Sequence, residues 1–116
     1  MGKNTFRKHE KIRRKKEYLT IYREGRRSYS GNFTIITSSN ISGFRRLGIT
    51  VGKKAGDAVR RNRIKRLLRE YFRLNKLRLS ASQDIVIMAK KNIPRLSYRD
   101  VCKELECLVI DKANKT

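Results

Sequence analysis

Tyr18, Ile21 and Tyr22 fall at i, i+3 and i+4, with Leu19 beside them and Gly25 just beyond. That spacing makes one apolar stripe on a helix, and a glycine is a natural stop, so a helix is predicted from about His9 to Glu24. The period then shortens. Phe33 to Thr37 is β-branched, and Leu47 to Gly52 alternates apolar with small or polar residues, so both read as strands. The segment 38–43 between them has turn chemistry, and a short connection predicts that the two strands lie side by side and antiparallel. Helical spacing returns after Gly56, with Asp57 suited to the N-cap, and runs to about Leu74. A third strand is predicted from Asp84 to Ala89. Its run Ile85, Val86, Ile87, Met88 has no polar alternation, which implies burial on both faces. Pro94 breaks the chain. Ser97 and Asp100 then form a capping-box pattern before a last helix with Tyr98, Val101, Leu105, Leu108 and Val109 on one stripe.

The predicted order is α-β-β-α-β-α, an α+β fold (an α/β sandwich) in which a small mixed sheet packs with helices. Residues 1–116 are expected to form a single domain, with loose polar ends at about 1–8 and 111–116. There is no internal repeat.

Charge changes the picture most. The 116 residues include 31 Lys and Arg against 10 Asp and Glu, a formal net charge of +21. Self-repulsion on that scale opposes compaction and calls for a polyanionic partner. An anionic membrane would be one, but no apolar run reaches the ~18 residues of a span, and no lipidation signal is present. The first 30 residues are too charged for a secretory signal, so a cytoplasmic location is expected. Cys102 and Cys107 do not have zinc spacing, and with His9 the only histidine they read as small apolar residues.

The cations concentrate on the central helix. On a helical wheel Ile64, Leu67, Leu68, Tyr71 and Phe72 gather on one side, and Asn62, Arg66, Arg69 and Arg73 on the other. Lys65 and Arg63 flank this polar face, while Arg60 and Arg61 sit nearer the apolar stripe. Like charges at i, i+3 and i+4 repel by a few tenths of a kcal/mol per pair. A face that served only solubility would mix in acids, yet Glu70 alone follows Asp57 within the helix. Arginine also predominates, and its planar fork grips phosphate in bidentate fashion. The face therefore reads as a nucleic-acid contact rather than a solvated surface.

Two further features stay open to more than one reading. Gly52, Lys53 and Lys54 lack the rest of a phosphate-loop pattern, so the glycine reads as a strand end and nucleotide hydrolysis is not expected. Tyr18 and Tyr22 stand one turn apart; they either pack in the core or line a groove and stack on unpaired bases.

The stretch from Ala58 to Arg69, centred on Arg61-Asn62-Arg63, resembles the signature of the bacterial ribonuclease P protein family. The surroundings agree: a Gly48-to-Lys54 strand before it, paired aromatics and Gly25-Arg26 after the first helix, Ile85 to Ile87, and Leu96-Ser97-Tyr98. The resemblance spans roughly residues 8 to 110. It implies an RNA-binding subunit of ribonuclease P, which assists endonucleolytic removal of the 5′ leader from precursor tRNA. The RNA subunit would perform the hydrolysis with Mg²⁺, and the protein alone would hold no metal firmly. It implies contact with ribonuclease P RNA through Arg60, Arg61, Asn62, Arg63, Lys65, Arg66 and Arg69. Tyr18, Tyr22, Thr34, Ile36, Thr50 and Lys53 would line a leader-binding cleft between the first helix and the sheet. It further implies a left-handed crossover through the basic helix, against the right-handed rule.

No catalytic residue and no small-molecule substrate are expected. The acids are scattered, whereas a metal-dependent nuclease needs converging carboxylates. The role would be binding energy: cations relieve phosphate crowding between two RNAs and the cleft aligns the substrate. The alternatives are a small ribosomal-type RNA-binding protein, and, behind it, a stand-alone nuclease or a DNA-binding protein.

Overall fold

The computed structural model describes residues 8–109. A 3-10 turn, Lys8–Glu10, leads to α1 (Lys15–Glu24). Then follow β1 (Arg26–Tyr29), β2 (Phe33–Ser39), β3 (Arg46–Thr50), α2 (Ala58–Asn75), β4 (Gln83–Ala89) and α3 (Tyr98–Glu104). The expectations about the ends lie outside the described residues, except at Lys8.

The four strands form one sheet in the order β1-β2-β4-β3. β2 is antiparallel to both β1 and β4, and β3 runs parallel to β4. The expected side-by-side pairing of β2 and β3 is therefore wrong, because β4 lies between them. The reason is burial. Ile85, Val86 and Ile87 need cover on both faces and find it only at the centre of the sheet. β3, which carries Gly48 and Thr50, tolerates a more open position. β1 was not expected at all: Arg26, Arg27, Ser28 and Tyr29 hold no apolar alternation, and the strand forms by pairing with β2.

Alternate residues face opposite layers. Phe33, Ile35, Ile85 and Ile87 join Ile64, Leu68, Tyr71 and Phe72 of α2 and Val101 and Leu105 of the α3 region in the main core. Ile36 and Val86, on the other face, pack under Ile21 of α1 and Ile12. Each such side chain contributes roughly 1.5–3 kcal/mol on burial. The layers are thus α1, sheet, then α2 with α3.

The hand of the β3-α2-β4 connection follows from the backbone. The Lys90 amide donates to the Asn32 carbonyl, so even-numbered residues of β4 direct their amides and carbonyls to β2 and odd-numbered ones to β3. The odd side chains Ile85 and Ile87 face α2. In an L-residue strand running upward, residues whose side chains face the viewer direct their carbonyls to the right. Seen from α2, β3 therefore lies to the right of β4, and the chain crosses from right to left. The crossover is left-handed, as the resemblance implied, and the general rule fails here.

Helix α1 begins later than expected. Residues 11–14 are not helical: Lys11 bridges Leu47 in parallel, and the Ile12 amide donates to the Leu47 carbonyl at 3.0 Å. Ile12 is buried there, a gain that a longer helix would forfeit. Glu17 closes the new N-terminus by accepting from the amides of Arg13 and Arg14. The caps on the other helices are as expected, with Asp57 accepting from the Arg60 amide and Ser97 from the Asp100 amide. The last helix is shorter than its apolar stripe, because Glu106–Leu108 tightens into a 3-10 turn and Val109 bridges Leu79. Cys102 packs against the main core, but Cys107 is exposed, contrary to its reading as an apolar residue.

A charged network ties α1 to the sheet. Arg46 donates to both oxygens of Asp84, at 2.8 and 2.9 Å, and to Glu17 at 2.9 Å. Asn40 also donates to Asp84, at 2.7 Å. The hydrogen bond from Arg46 holds the Glu17 carboxyl below its ordinary range. A carboxyl depressed on folding adds stability above its unfolded pKa and loses it as pH falls through the folded value. Glu17→Gln is expected to flatten the acid side of the stability curve, read as urea midpoints from about pH 5 to pH 3. A curve as steep as that of the unaltered chain would remove Glu17 from this role.

Candidate nucleic-acid interface

The outer face of α2 is a surface without internal partners. Asn62, Arg66 and Arg69 are exposed and Lys65 is half-buried. No hydrogen bond or ion pair joins their side chains to any described residue. Glu70 is engaged by Arg73 at 2.9 Å and pairs with none of the cations Lys65, Arg66 and Arg69. A shallow groove runs along this face between Asn62 and Arg73.

Arg60, Arg61 and Arg63 differ from the rest. Arg60 donates to the Ile93 carbonyl and Arg63 to the Leu96 carbonyl, each at 2.8 Å. These two arginines clamp the start of α2 to the loop around Pro94. The Nε atoms of Arg61 and Arg63 are buried without an acceptor among the described residues, an arrangement that costs about 1–3 kcal/mol per donor. The wheel had placed Arg60 and Arg61 near the buried stripe, but the use of Arg60 and Arg63 as backbone clamps depends on residues 93–96 and has no local signal.

The second feature is a cleft between α1 and β3. Tyr18, Leu19 and Tyr22 form one wall, and Ile49, Thr50 and Val51 the other. Arg13, Lys15 and Lys65 bring positive charge to it. The sheet makes room because Gly48 has no side chain: a Cβ there would lie 2.6 Å from the Tyr18 hydroxyl oxygen. Tyr18 donates to the Ile12 carbonyl at 3.2 Å, and burial raises its phenol pKa. Its ring centroid is 6.1 Å from that of Tyr22. Both tyrosines pack against the small core and also line the cleft, so the two readings of them are not exclusive.

The cleft joins the basic face. Lys65 borders it, and Arg69 shares an adjoining hollow with Lys11, Ile12 and Tyr18. Of the residues expected in the cleft, Tyr18, Tyr22 and Thr50 are there. Thr34 lies on the same sheet face, half-buried, farther across the sheet, and Lys53 is exposed in the turn after β3. Ile36 must be corrected: it is 0% exposed, sealed beneath α1, and supports the cleft from below instead of lining it. Arg13, Lys15 and Leu19 were missed, because only the extended course of residues 11–14 brings that end of α1 to β3.

The described side chains offer no cluster of carboxylates for a protein-held Mg²⁺. Among the described residues no three of His, Cys, Asp and Glu come together. No described helix is long and apolar enough to cross a membrane.

A small α+β protein with a cationic helix beside an aromatic cleft is built to bind RNA. Comparison with known proteins gives the family. The ribonuclease P family model matches residues 6–113. The ribonuclease P protein component of Syntrophus aciditrophicus is 57% identical over 109 residues, covering 94% of this chain and 92% of that one. That of Syntrophobacter fumaroxidans is 43% identical, covering 96% and 94%. The solved ribonuclease P protein of Thermotoga maritima superposes with a TM-score of 0.76 at 34% identity, covering 86% of this chain and 94% of that one. A solved Staphylococcus aureus ribonuclease P protein gives a TM-score of 0.75 at 32% identity, covering 91% and 95%. The chain belongs to the ribonuclease P protein family.

Proposed function

We propose that this chain binds ribonuclease P RNA through the outer face of α2 and holds the 5′ leader of precursor tRNA in the cleft between α1 and β3. The observation that carries this reading is the set Asn62, Lys65, Arg66 and Arg69, whose side chains have no partner among the described residues and which adjoin the cleft. Its three cations, Lys65, Arg66 and Arg69, repel one another on one helix face until phosphates intervene. The protein supplies alignment and charge neutralisation, and no step of the chemistry runs through its own side chains. On this reading hydrolysis belongs to the RNA subunit with its Mg²⁺.

Tyr18 gives the test. In the reconstituted holoenzyme, Tyr18→Ala is expected to weaken precursor tRNA binding by about five- to a hundredfold, the worth of one base stack, and to spare mature tRNA. Tyr18→Phe removes the bond to Ile12 but keeps the ring, and should retain precursor binding. Equal losses for precursor and mature tRNA would assign Tyr18 to the core alone.

A further inference from the structure

The sheet face that carries the cleft does not end at Thr50. Thr50 of β3 pairs with Met88 of β4, Met88 with Thr34 of β2, and Thr34 with Tyr29 of β1. One residue from each strand thus forms a row across the whole sheet. Thr50, Met88 and Thr34 are half-buried and Tyr29 is 67% exposed. Helix α1 covers the neighbouring row, Ile36 and Val86, and leaves this one partly open. Arg27 confirms the face, since it pairs with Ile36 and donates to the Tyr22 carbonyl at the end of α1. Three inter-strand steps of about 4.8 Å give a track of ~14 Å. That is room for about four stacked nucleotides at ~3.4 Å each.

At the far end of the track Lys90 places its ammonium 5.9 Å from the centroid of the Tyr29 ring, and donates to the Ser30 carbonyl at 2.7 Å. An exposed aromatic beside a fixed cation offers a base a stacking surface and its phosphate a charge. Nothing in the core requires Tyr29, because its ring is mostly in solvent.

We infer that the leader-binding surface extends across the sheet to its β1 edge, where Tyr29 with Lys90 forms a second stacking platform for nucleotides upstream of those held by Tyr18 and Tyr22. The polarity follows from the charges: Lys65 and Arg69 of the RNA-binding helix stand at the β3 end, so the cleavage-proximal nucleotides lie there and the upstream ones at β1. This rests on the cleft reading of the preceding section.

The experiment measures binding of the reconstituted holoenzyme to precursor tRNAs with leaders of about two and about ten nucleotides. Tyr29→Ala is expected to lose about tenfold in affinity for the long leader only, and Tyr29→Phe to restore it. Normal long-leader binding by Tyr29→Ala, with Tyr18→Ala impaired, overturns the extension and leaves the cleft standing. Equal loss on both leaders also overturns it, since the platform cannot reach a short leader. Unimpaired binding by both alanine variants overturns extension and cleft together.

Discussion

Replacing Arg66 and Arg69 together by alanine is expected to weaken binding to ribonuclease P RNA by roughly ten- to a hundredfold near physiological salt, because two charge-assisted contacts are lost. The decisive readout is the salt dependence. Each phosphate contact releases counterions and contributes about 0.7–0.9 to the slope of log K against log salt. The double variant should therefore lose about 1.5 from that slope. Both side chains are exposed and have no partner among the described residues, so the thermal midpoint should barely change. An unchanged slope would show that this face does not meet phosphate. Arg63→Ala should behave differently. It removes the clamp on Leu96 as well as a cation, so stability and RNA affinity should fall together.

The largest expected effect on stability is at Asp84. Its side chain is 8% exposed and accepts two bonds from Arg46 and one from Asn40. Asp84→Ala leaves the Arg46 guanidinium half-buried with only Glu17 to balance it. Breaking a buried pair on one side costs about 3–5 kcal/mol; with Glu17 remaining, about 2–4 kcal/mol is expected. For a chain of this length that is a fall of roughly 10–20 °C in Tm. Leader affinity should fall with it, because Glu17 and Arg46 hold α1 to the sheet and so set the cleft. A loss within ~0.5 kcal/mol, in the range of an ordinary surface substitution, would refute the structural role of the network.

These two sites differ in how far the sequence reveals them. The face of α2 is legible because a helix places residues three and four apart together, so the alternation of Ile64, Leu68, Tyr71 with Arg66, Arg69 is enough. The caps at Asp57 and Ser97 are legible for the same local reason, and the unbroken apolar run of β4 announces its burial on both faces. The Arg46 network is not legible. Its members lie on α1, the β2–β3 loop, β3 and β4, and only the folded sheet brings Glu17, Asn40 and Asp84 to one guanidinium. The order of the strands failed for a related reason: loop length favours neighbours in sequence, but the demand of β4 for cover on both faces outweighs it. β1 escaped notice because Arg26 to Tyr29 carries no apolar alternation and acquires strand form from its partner. Ile36 was misplaced because β-strand parity gives the face but not how far α1 extends over it. The family signature supplied the left-handed crossover, which physical rules alone would have given the opposite hand.

The two margins of the sheet are treated differently, and this bears on how copies of the chain behave at high concentration. Beside β3, Lys11 bridges Leu47 and the Ile12 amide takes the Leu47 carbonyl, so the start of that margin is covered against an added strand. Beside β1 the backbone is open, and the deterrent is electrostatic: Arg26 and Arg27 would meet the same pair on an incoming copy. Such a guard is only as good as the solvent's failure to screen it. High salt or a short polyanion should therefore promote edge-to-edge self-association through β1, and acidic residues at positions 26 and 27 of a second chain should direct pairing to that edge.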